Sequence, residues 1–299
     1  MAAASKLRLL VVPDDRPGSL GGTSLEARAR ELAEEVVIHR DMPSSQEALV
    51  ERCRNADGVV NILSTSQFTR DLMEACSPLR IISLWAAGVN NVDLEAAKTL
   101  GITVTYTPGY GAIGVGEHTL ALMMAAARDV AAVDRSVREG QWPKQPLVQL
   151  YGKTLGVVGA GPIARRVMGL GKGLGMKVVA WTLHPSPERA AEFGVQFVPL
   201  SDLCRDSDFI AVIIALSERT EGLIGRKQLE LMKTEAIIVN TGRGALIDEE
   251  ALVEFLSQRR IRGAGLDVYT TEPLPAGHPL TRLDNVVLSS HLAAHAPET

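Results

Sequence analysis

Three stretches of the sequence that are typical of buried strands are followed by charged or ionisable side chains. Arg243 lies between two glycines shortly after IIVN, Asp267 and Glu272 follow GAGL, and His291 follows NVVLSS. An arginine in such a place can bind a carboxylate through two parallel hydrogen bonds, and a histidine can exchange a proton near neutral pH. These residues therefore predict proton transfer on a small acid. In the alternative interpretation, Arg243 forms a helix cap or a salt bridge between domains.

The six histidines differ in how well they are placed for this chemistry. His291 and His295 follow a strand at the edge where open α/β sheets bind ligands, and position alone leaves the choice between them open. His118 stands beside Glu117 near a helix start, where packing or capping is expected. Structural or peripheral roles are expected for the others, which are His39, His184 and His278.

A glycine-rich turn indicates a dinucleotide site. TLGVVGAGPIARRV places Gly159, Gly161 and Ala164 in the pattern G-x-G-x-x-A, after a strand and at a helix start. Gly159 permits the tight turn, Gly161 lets backbone approach a pyrophosphate, and Ala164 allows close packing of helix on strand. Within a βαβ unit this pattern predicts dinucleotide binding, whereas outside one it would be a flexible connector.

The acidic residue expected at the end of the next strand is absent. Such a residue binds the ribose 2′-OH of NAD and repels the 2′-phosphate of NADP. Its place falls near Trp181 and Thr182, and the first carboxylate afterwards is Glu188. The predicted cofactor is therefore NAD or NADP, with a slight preference for NADP. Thr182 is the candidate ribose contact, and Arg189 is among the candidate phosphate donors.

The elements that must position these residues follow from an alternation of β-branched runs with helical patterns, which is typical of parallel sheets covered by helices. The alternation stops at the helical segment 114–140 and then begins again. We predict an α/β fold of two doubly wound parallel-sheet domains. Residues 1–101 with 284–299 form a flavodoxin-like substrate domain, and residues 102–283 form a Rossmann NAD(P)-binding domain. Segment 114–140 is either a core helix or the contact surface of a homodimer.

Composition excludes several other classes of protein. The 299 residues carry a net charge of −4, so the sequence lacks the excess of basic residues that is typical of nucleic-acid-binding proteins. No apolar run approaches the roughly 20 residues of a membrane span, and Cys53, Cys76 and Cys204 form no C-x-x-C metal motif. We predict a cytoplasmic protein without metal, membrane or nucleic-acid partners, which binds a small molecule and a second copy of itself.

Several longer stretches resemble one enzyme family. VNTGRGALIDEEAL, GLDVYTTEPLP and NVVLSSHLAAH are similar to three consecutive signatures of the D-isomer-specific 2-hydroxyacid dehydrogenases. WAAGVNNVDLEAAKTLGITVTYTPGYGAIGVGEHTLALMMAAAR resembles that family's substrate loop and interdomain segment. The likeness covers nearly the whole chain, in the right order. It implies an NAD(P)-dependent oxidoreductase acting on the CH–OH group of 2-hydroxy acids, which reduces a 2-keto acid such as glyoxylate, hydroxypyruvate or an aryl pyruvate.

The resemblance also implies roles for single residues. Arg243 would bind the 2-keto acid, and His291 would donate a proton as hydride arrives from the nicotinamide. Glu272 would pair with His291 and favour its charged form. The backbone N–H groups of Ala87 and Gly88 match the family's cradle for the substrate carboxylate. Matches to its cofactor contacts occur at Pro162, Ile163, Thr220, Thr241, Gly242 and Asp267, the last on the nicotinamide side.

Some positions depart from the family pattern. The usual His-x-Pro after the fourth cofactor-domain strand is Ile213-Ile214-Ala215, and the usual Thr-Pro before the histidine is Ser289-Ser290. A usual glycine is replaced by Ala294. Family members continue beyond the position of Thr299 into a helix that crosses back to the first domain, so a shortened form or a different closure is expected. A corepressor-like NAD(H)-sensing protein and a phosphite-type dehydrogenase are the alternative functions.

Overall fold

The computed structural model describes residues 6–16, 18–63, 65–86 and 88–295. The chain forms two compact units, Met1–Tyr110 and Gly111–Thr299. This division differs from the predicted one, because the first unit extends to residue 110 rather than 101 and the segment after residue 283 belongs to the second unit. The physical reason is strand pairing: Val286–Leu288 extends the second sheet by pairing with Gly263–Leu266.

The first unit is a parallel five-stranded sheet with helices between its strands. The strand order is β2-β1-β3-β4-β5, which is the flavodoxin-like order that the sequence predicted. Its elements in chain order are β1 (Leu7–Val12), α1 (Ser24–Leu32), β2 (Ala33–Ile38), α2 (Gln46–Cys53), β3 (Gly58–Asn61), α3 (Arg70–Ala75), β4 (Ile81–Leu84), α4 (Leu94–Thr99) and β5 (Thr103–Thr105).

Local sequence signals explain where the helices of this unit begin. The side chains of Thr23, Ser45, Thr69 and Asp93 each accept a hydrogen bond from an amide in the first turn of the following helix. Such caps satisfy helix donors that have no partner within the helix. The apolar faces then pack on the sheet around fully buried residues that include Leu49, Phe68, Leu72, Ile82 and Leu84.

The second unit contains a parallel seven-stranded sheet in the order β12-β11-β10-β9-β6-β7-β8. Its first six strands in the chain, β6 to β11, have the Rossmann order, and β12 extends the sheet beside β11, so the predicted fold class is confirmed for both units. Its elements are α5 (Ala112–Ala127), α6 (Val130–Arg138), β6 (Thr154–Val158), α7 (Pro162–Gly173), β7 (Lys177–Trp181), α8 (Pro187–Phe193), β8 (Gln196–Phe197), α9 (Leu200–Asp206), β9 (Phe209–Val212), α10 (Arg226–Leu231), β10 (Ile237–Asn240), α11 (Glu249–Ser257), β11 (Gly263–Leu266) and β12 (Val286–Leu288), with 3-10 turns at Gly244–Leu246 and Pro279–Arg282.

The segment predicted as one long helix over 114–140 is two helices. They separate at Arg128 and Asp129, where Asp129 has a left-handed φ of 49°. Helix α5 packs in the core of the second unit, with Leu122 and Met123 buried. Helix α6 has no buried residue. Within the described part of the chain, no helix has the length and apolar character needed to cross a bilayer.

Candidate active site

The candidate site lies at the carboxyl-terminal edge of the second sheet. Strands β10, β11 and β12 are parallel neighbours, so the loops that follow them leave the sheet at the same edge. The first of these loops carries Arg243, the second carries Asp267 and Glu272, and the third carries His291. Open α/β sheets bind their ligands at this edge. The topology therefore brings together residues that are up to 48 positions apart in the sequence, from Arg243 to His291.

His291 and Glu272 form the predicted pair. Nδ1 of His291 lies 2.7 Å from Oε2 of Glu272, and both side chains are partly buried. The other carboxylate oxygen, Oε1, accepts a hydrogen bond from the Tyr269 amide at 3.0 Å. A carboxylate accepts only, so Nδ1 carries the hydrogen in this pair. Nε2 is therefore the ring atom left to exchange a proton with a ligand.

The backbone at His291 is held in a strained conformation. Its φ is +57°, in the left-handed region that non-glycine residues rarely adopt. Three consecutive amides are bound to Asp267: the His291 amide to its carbonyl at 2.8 Å, and those of Leu292 and Ala293 to its two carboxylate oxygens at 2.9 and 3.0 Å. Such strain costs about 1–3 kcal/mol and persists only where neighbours impose it. Asp267 thus fixes the turn that aims His291 at Glu272.

Asp267 has no exposed surface, and every contact of its carboxylate that the structure gives is with protein. Ser289 Oγ donates to Oδ1 at 2.6 Å, and Nε2 of His118 lies 3.3 Å from the same oxygen. Burial by itself would raise the pKa of Asp267, but the hydrogen bonds from His118, Ser289 and two backbone amides outweigh it and leave the pKa below its usual value. Its cofactor contact stays a prediction.

His118 is the site residue that sequence reasoning missed. The sequence predicts packing or capping of α5, but that helix begins at Ala112, after Gly111, without a side-chain cap. Instead Nε2 of His118 lies 2.9 Å from Ser289 Oγ, a residue 171 positions later in the chain. No local signal marks this contact, because it exists only once α5 packs against the end of β12.

Tyr269 is a structural neighbour of this cluster rather than a proton donor. Its hydroxyl donates toward the carbonyls of Ser289 at 2.7 Å and Leu266 at 3.0 Å. Burial and the charge of Asp267 raise its pKa, so the hydroxyl stays protonated at any physiological pH. Its bonds tie the loop after β11 to the loop after β12.

Arg243 is held by the turn after β10. Asn240 donates from Nδ2 to the Arg243 carbonyl at 2.9 Å and accepts from the Gly242 amide at 3.0 Å. The Arg243 guanidinium donates to the Gly242 carbonyl at 2.7 Å and is partly exposed. The next residue, Gly244, lies against the backbone of Tyr269 so closely that a Cβ would fall 1.9 Å from the Tyr269 carbonyl carbon. The loops that carry Arg243 and Glu272 are therefore in direct contact.

The glycine turn fits the phosphates of a dinucleotide. Gly159 has a φ of +129°, and a Cβ there would lie 3.0 Å from the Ile214 amide nitrogen, so glycine is required. Gly161 precedes α7 and gives it no side-chain cap, while Pro162 occupies the first turn. A Cβ on Gly161 would meet no atom within 4 Å, so there is space beside this helix start, and helix N-termini bind anions through their free amides. Ala164 is buried, as predicted.

The other predicted cofactor residues lie near the same sheet edge or in its loops. Thr241 Oγ1 is 2.7 Å from Thr119 Oγ1, and Thr220 bonds back to Ala215 and Ser217 within its own loop. Gly242 is buried under Leu246, and Ile163 is partly buried in the first turn of α7.

Helix α8, which follows the loop after β7, contains an arginine whose guanidinium donates hydrogen bonds to two carbonyls. Arg189 donates from Nη1 to the His184 carbonyl at 2.6 Å and from Nη2 to the Ala160 carbonyl, in the glycine turn, at 2.8 Å. Arg165 is paired with Glu192 at 2.9 Å. Thr182 is buried beside this loop. Arg189 thus places a positive charge between the end of β7 and the glycine turn.

The remaining candidates are the two predicted substrate contacts, Ala87 and Gly88, and two further histidines, His295 and His278. Ala87 lies outside the described residues, and Gly88 belongs to the first unit. His295 is exposed beyond the His291 turn, and partial desolvation together with the charge of the neighbouring His291 lowers its pKa. His278 caps a 3-10 turn. The described residues contain no group of histidine, cysteine or acidic side chains that could hold a metal.

A Rossmann unit with an open glycine turn, next to an arginine, a histidine and a carboxylate, defines a nicotinamide-dependent oxidoreductase. Comparison with known proteins gives the family. Residues 120–293 match the model of the D-isomer specific 2-hydroxyacid dehydrogenase NAD-binding domain. The chain belongs to the D-isomer-specific 2-hydroxyacid dehydrogenase family and is an NAD(P)-dependent oxidoreductase of 2-hydroxy and 2-keto acids.

Individual relatives agree with this assignment. A glyoxylate reductase of Aeropyrum pernix is 42% identical over 266 residues, covering 86% of this chain and 79% of the relative. A D-3-phosphoglycerate dehydrogenase of Methanocaldococcus jannaschii is 40% identical over 257 residues, which are 85% of this chain and 49% of that longer protein. The crystal structure of the TT0316 protein from Thermus thermophilus superposes with a TM-score of 0.86 at 35% identity, covering 97% of this chain and 91% of that one.

Proposed function

We propose that the protein reduces a small 2-keto acid, glyoxylate or hydroxypyruvate, to the corresponding 2-hydroxy acid with NADPH or NADH. The observation that carries this proposal is the 2.7 Å contact of His291 with Glu272 on the loop that abuts the Arg243 loop. A general acid and a carboxylate-binding cation are the two groups that reduction of a 2-keto acid requires.

Each residue has a defined task in this reaction. Reduced nicotinamide, when bound, supplies the hydride to the keto carbon. Arg243 binds the substrate carboxylate and carbonyl oxygen, and Nε2 of His291 delivers a proton to that oxygen as negative charge develops on it. Glu272 holds Nδ1, which fixes the orientation of the ring and leaves Nε2 as the atom that exchanges the proton. The amides at the start of α7 and the Gly159 turn hold the pyrophosphate.

The assay that tests this function follows NADPH and NADH absorbance with glyoxylate and hydroxypyruvate. His291→Ala lowers kcat by roughly 10²–10⁴-fold, which is the usual contribution of a positioned general acid to the rate. Cofactor affinity is nearly unchanged. His295→Ala is the matched control, since that exposed ring has no carboxylate partner at hydrogen-bond distance among the described residues, and it changes kcat only mildly. Equal losses in the two variants would contradict the assignment of His291.

The same assay separates the alternative functions. A corepressor-like sensor binds NADH, measured by fluorescence, without turning over any keto acid. A phosphite-type dehydrogenase reduces NAD⁺ or NADP⁺ with phosphite and does not reduce glyoxylate with NADPH or NADH. Either result would replace the 2-keto acid reductase proposal.

For the cofactor, we propose use of both NADP and NAD with a slight preference for NADP. Support comes from Arg189, whose guanidinium lies between the end of β7 and the glycine turn and has no carboxylate partner among the described residues. The discrimination is under roughly 100-fold, about 2.7 kcal/mol. Thr182→Asp restores the 2′-OH acceptor and the repulsion of a 2′-phosphate, so it shifts kcat/KM toward NAD. A wild type that prefers NAD by over about a thousandfold would refute this preference.

We also propose a homodimer that forms through segment 114–140. The support is α6, which has no buried residue although Val130 and Val137 are apolar and 55% and 44% exposed. Trp142, just beyond it, is 79% exposed. Burying such a patch in a second copy removes apolar surface from water. Analytical ultracentrifugation of wild type and Val137→Glu tests this: a monomeric wild type at micromolar concentration would contradict it.

The three cysteines are thiols in the structure, which supports a reducing compartment, and we propose the cytoplasm.

A further inference from the structure

We propose that His118 is a positioning residue for the proton-transfer histidine, acting through Ser289 and Asp267 on the turn that carries His291. This inference rests on the proposed reaction of the same site. None of the three residues in this relay needs to touch substrate. The relay runs from helix α5 to the loop after β12, and its members lie in the second unit.

The hydrogen atoms of the relay can be placed from its geometry. Ser289 Oγ lies 2.6 Å from Asp267 Oδ1, and a carboxylate can only accept, so the single hydroxyl hydrogen of Ser289 points at Asp267. Ser289 therefore presents a lone pair to His118 Nε2, which is 2.9 Å away. Nε2 must carry a hydrogen, and it donates to Ser289 with the same Asp267 oxygen at 3.3 Å.

The far end of the relay is the strained turn. The Asp267 carboxylate accepts the amides of Leu292 and Ala293, and its carbonyl accepts the amide of His291, whose φ is +57°. A non-glycine residue keeps that conformation only where its surroundings impose it. Any rotation of the Asp267 carboxylate relaxes the turn and moves the imidazole away from Glu272.

His118 is the group best placed to prevent that rotation. Asp267 is fully buried, and among the described residues His118 is the one basic side chain within ion-pair distance of it. The N–H of His118 and the hydroxyl of Ser289 both donate toward Oδ1, which also accepts the Leu292 amide, while the Ala293 amide binds Oδ2. His118 on α5 is thus required for the orientation of the Asp267 carboxylate after β11. This dependence makes His118 a positioning residue and not a reacting one.

The first test compares three variants at position 118 and at its partner. His118→Gln keeps an N–H donor near the place of Nε2 and retains kcat within about threefold. His118→Ala removes the donor and lowers kcat by about 10- to 100-fold, the effect of misplacing a reacting group by about 1 Å. KM for the keto acid and for NADPH stays within about threefold in both variants. Ser289→Ala, which breaks the relay without altering α5, lowers kcat by about tenfold.

Glu117→Gln is the matched control on the same helix. Glu117 is exposed and pairs with Arg166 at 3.3 Å, so its loss leaves kcat within about twofold. Wild-type kcat in both His118→Ala and Ser289→Ala would overturn the proposal. Equal losses in His118→Gln and His118→Ala would overturn the donor role, and a rise in KM equal to the fall in kcat would indicate a binding residue instead.

A measurement without turnover separates this inference from the proposed function. In protein labelled with ¹⁵N in the histidine rings, nuclear magnetic resonance shows His118 with a hydrogen on Nε2 and His291 with a hydrogen on Nδ1. His118→Ala and Ser289→Ala change the His291 ring signals, whereas Glu117→Gln leaves them unchanged. Unchanged His291 signals would overturn the inference, even in an enzyme active on glyoxylate. Failure of the wild type to reduce any keto acid would refute the proposed function alone.

Discussion

Replacing Gly244 by alanine tests whether the contact between the Arg243 and Glu272 loops sets the geometry of the site. A Cβ at this position would lie 1.9 Å from the Tyr269 carbonyl carbon, 2.1 Å from its oxygen and 2.3 Å from the Thr270 nitrogen. All three are backbone atoms, so no side-chain rotation can relieve the clash. Ordinary contact begins near 3.4 Å, so the two loops must separate by about 1.5 Å.

That separation has two measurable costs. Overpacking of this kind destabilises by about 1–3 kcal/mol. The Tyr269 amide binds the Glu272 carboxylate, so the shift also moves Glu272 relative to Arg243. Because displacement of a reacting group by about 1 Å costs about 100-fold in rate, Gly244→Ala lowers kcat for glyoxylate by at least about 100-fold. Urea unfolding and steady-state kinetics on the same preparation measure both effects.

Gly161→Ala is the matched control, because it adds the same methyl group where no atom lies within 4 Å and φ is −99°. Its unfolding free energy stays within about 0.5 kcal/mol of wild type. Since the methyl group faces the proposed pyrophosphate, KM for NADPH rises by about tenfold or more. A Gly244→Ala enzyme with kcat within about threefold of wild type would refute the role of the loop contact, and an unchanged KM in Gly161→Ala would refute the cofactor placement.

Three further predictions concern stability and reactivity. Gly169 lies in the interior of α7 with open space around it, so Gly169→Ala stabilises the protein by about 0.8–1.0 kcal/mol in urea unfolding; a destabilised variant would contradict this. Burial raises the pKa of Cys76 to about 11 and that of Cys204 to about 12, and also raises that of Cys53, so a disulfide reagent at pH 8 labels these thiols only after denaturation. The lowered pKa of Asp267 means that its ionised form stabilises the folded state above the ordinary value of 3.8, and this contribution is lost as the pH falls through the folded pKa. The stability gap between wild type and Asp267→Asn, about 1–3 kcal/mol near neutrality, therefore narrows in urea titrations below about pH 4, and a gap that stays constant down to pH 3 would argue against it.

Local sequence signals were sufficient to predict the fold class and to name the loops that carry the candidate site. Short β-branched runs, helix caps such as Asp93 and Asp248, and the turn at Gly159 act over a few residues, so their physics is visible in local sequence. The pairing of His291 with Glu272 was also accessible, because the motifs around both residues resemble those of a known family and the carboxyl ends of neighbouring strands must meet.

The pairing of the last strand and the division of segment 114–140 depend on three-dimensional packing and could not be predicted from local sequence. Val286–Leu288 pairs with β11, so the end of the described chain joins the second unit rather than the first. A left-handed residue at Asp129 divides segment 114–140 into a buried and an exposed helix. Neither outcome is encoded in a periodic pattern, because each depends on which surface is free to pack.

The relay of His118, Ser289 and Asp267 is the clearest case of a feature beyond sequence reasoning. His118 resembles any histidine on an amphipathic helix, and its partner Ser289 is 171 residues away. The sequence predicts a cofactor contact for Asp267, which stays a prediction, and the fold adds four protein donors to its buried carboxylate. A hydrogen-bond network of this kind arises from three-dimensional proximity, since the partners are brought together by packing of α5 on the sheet and not by any spacing along the chain.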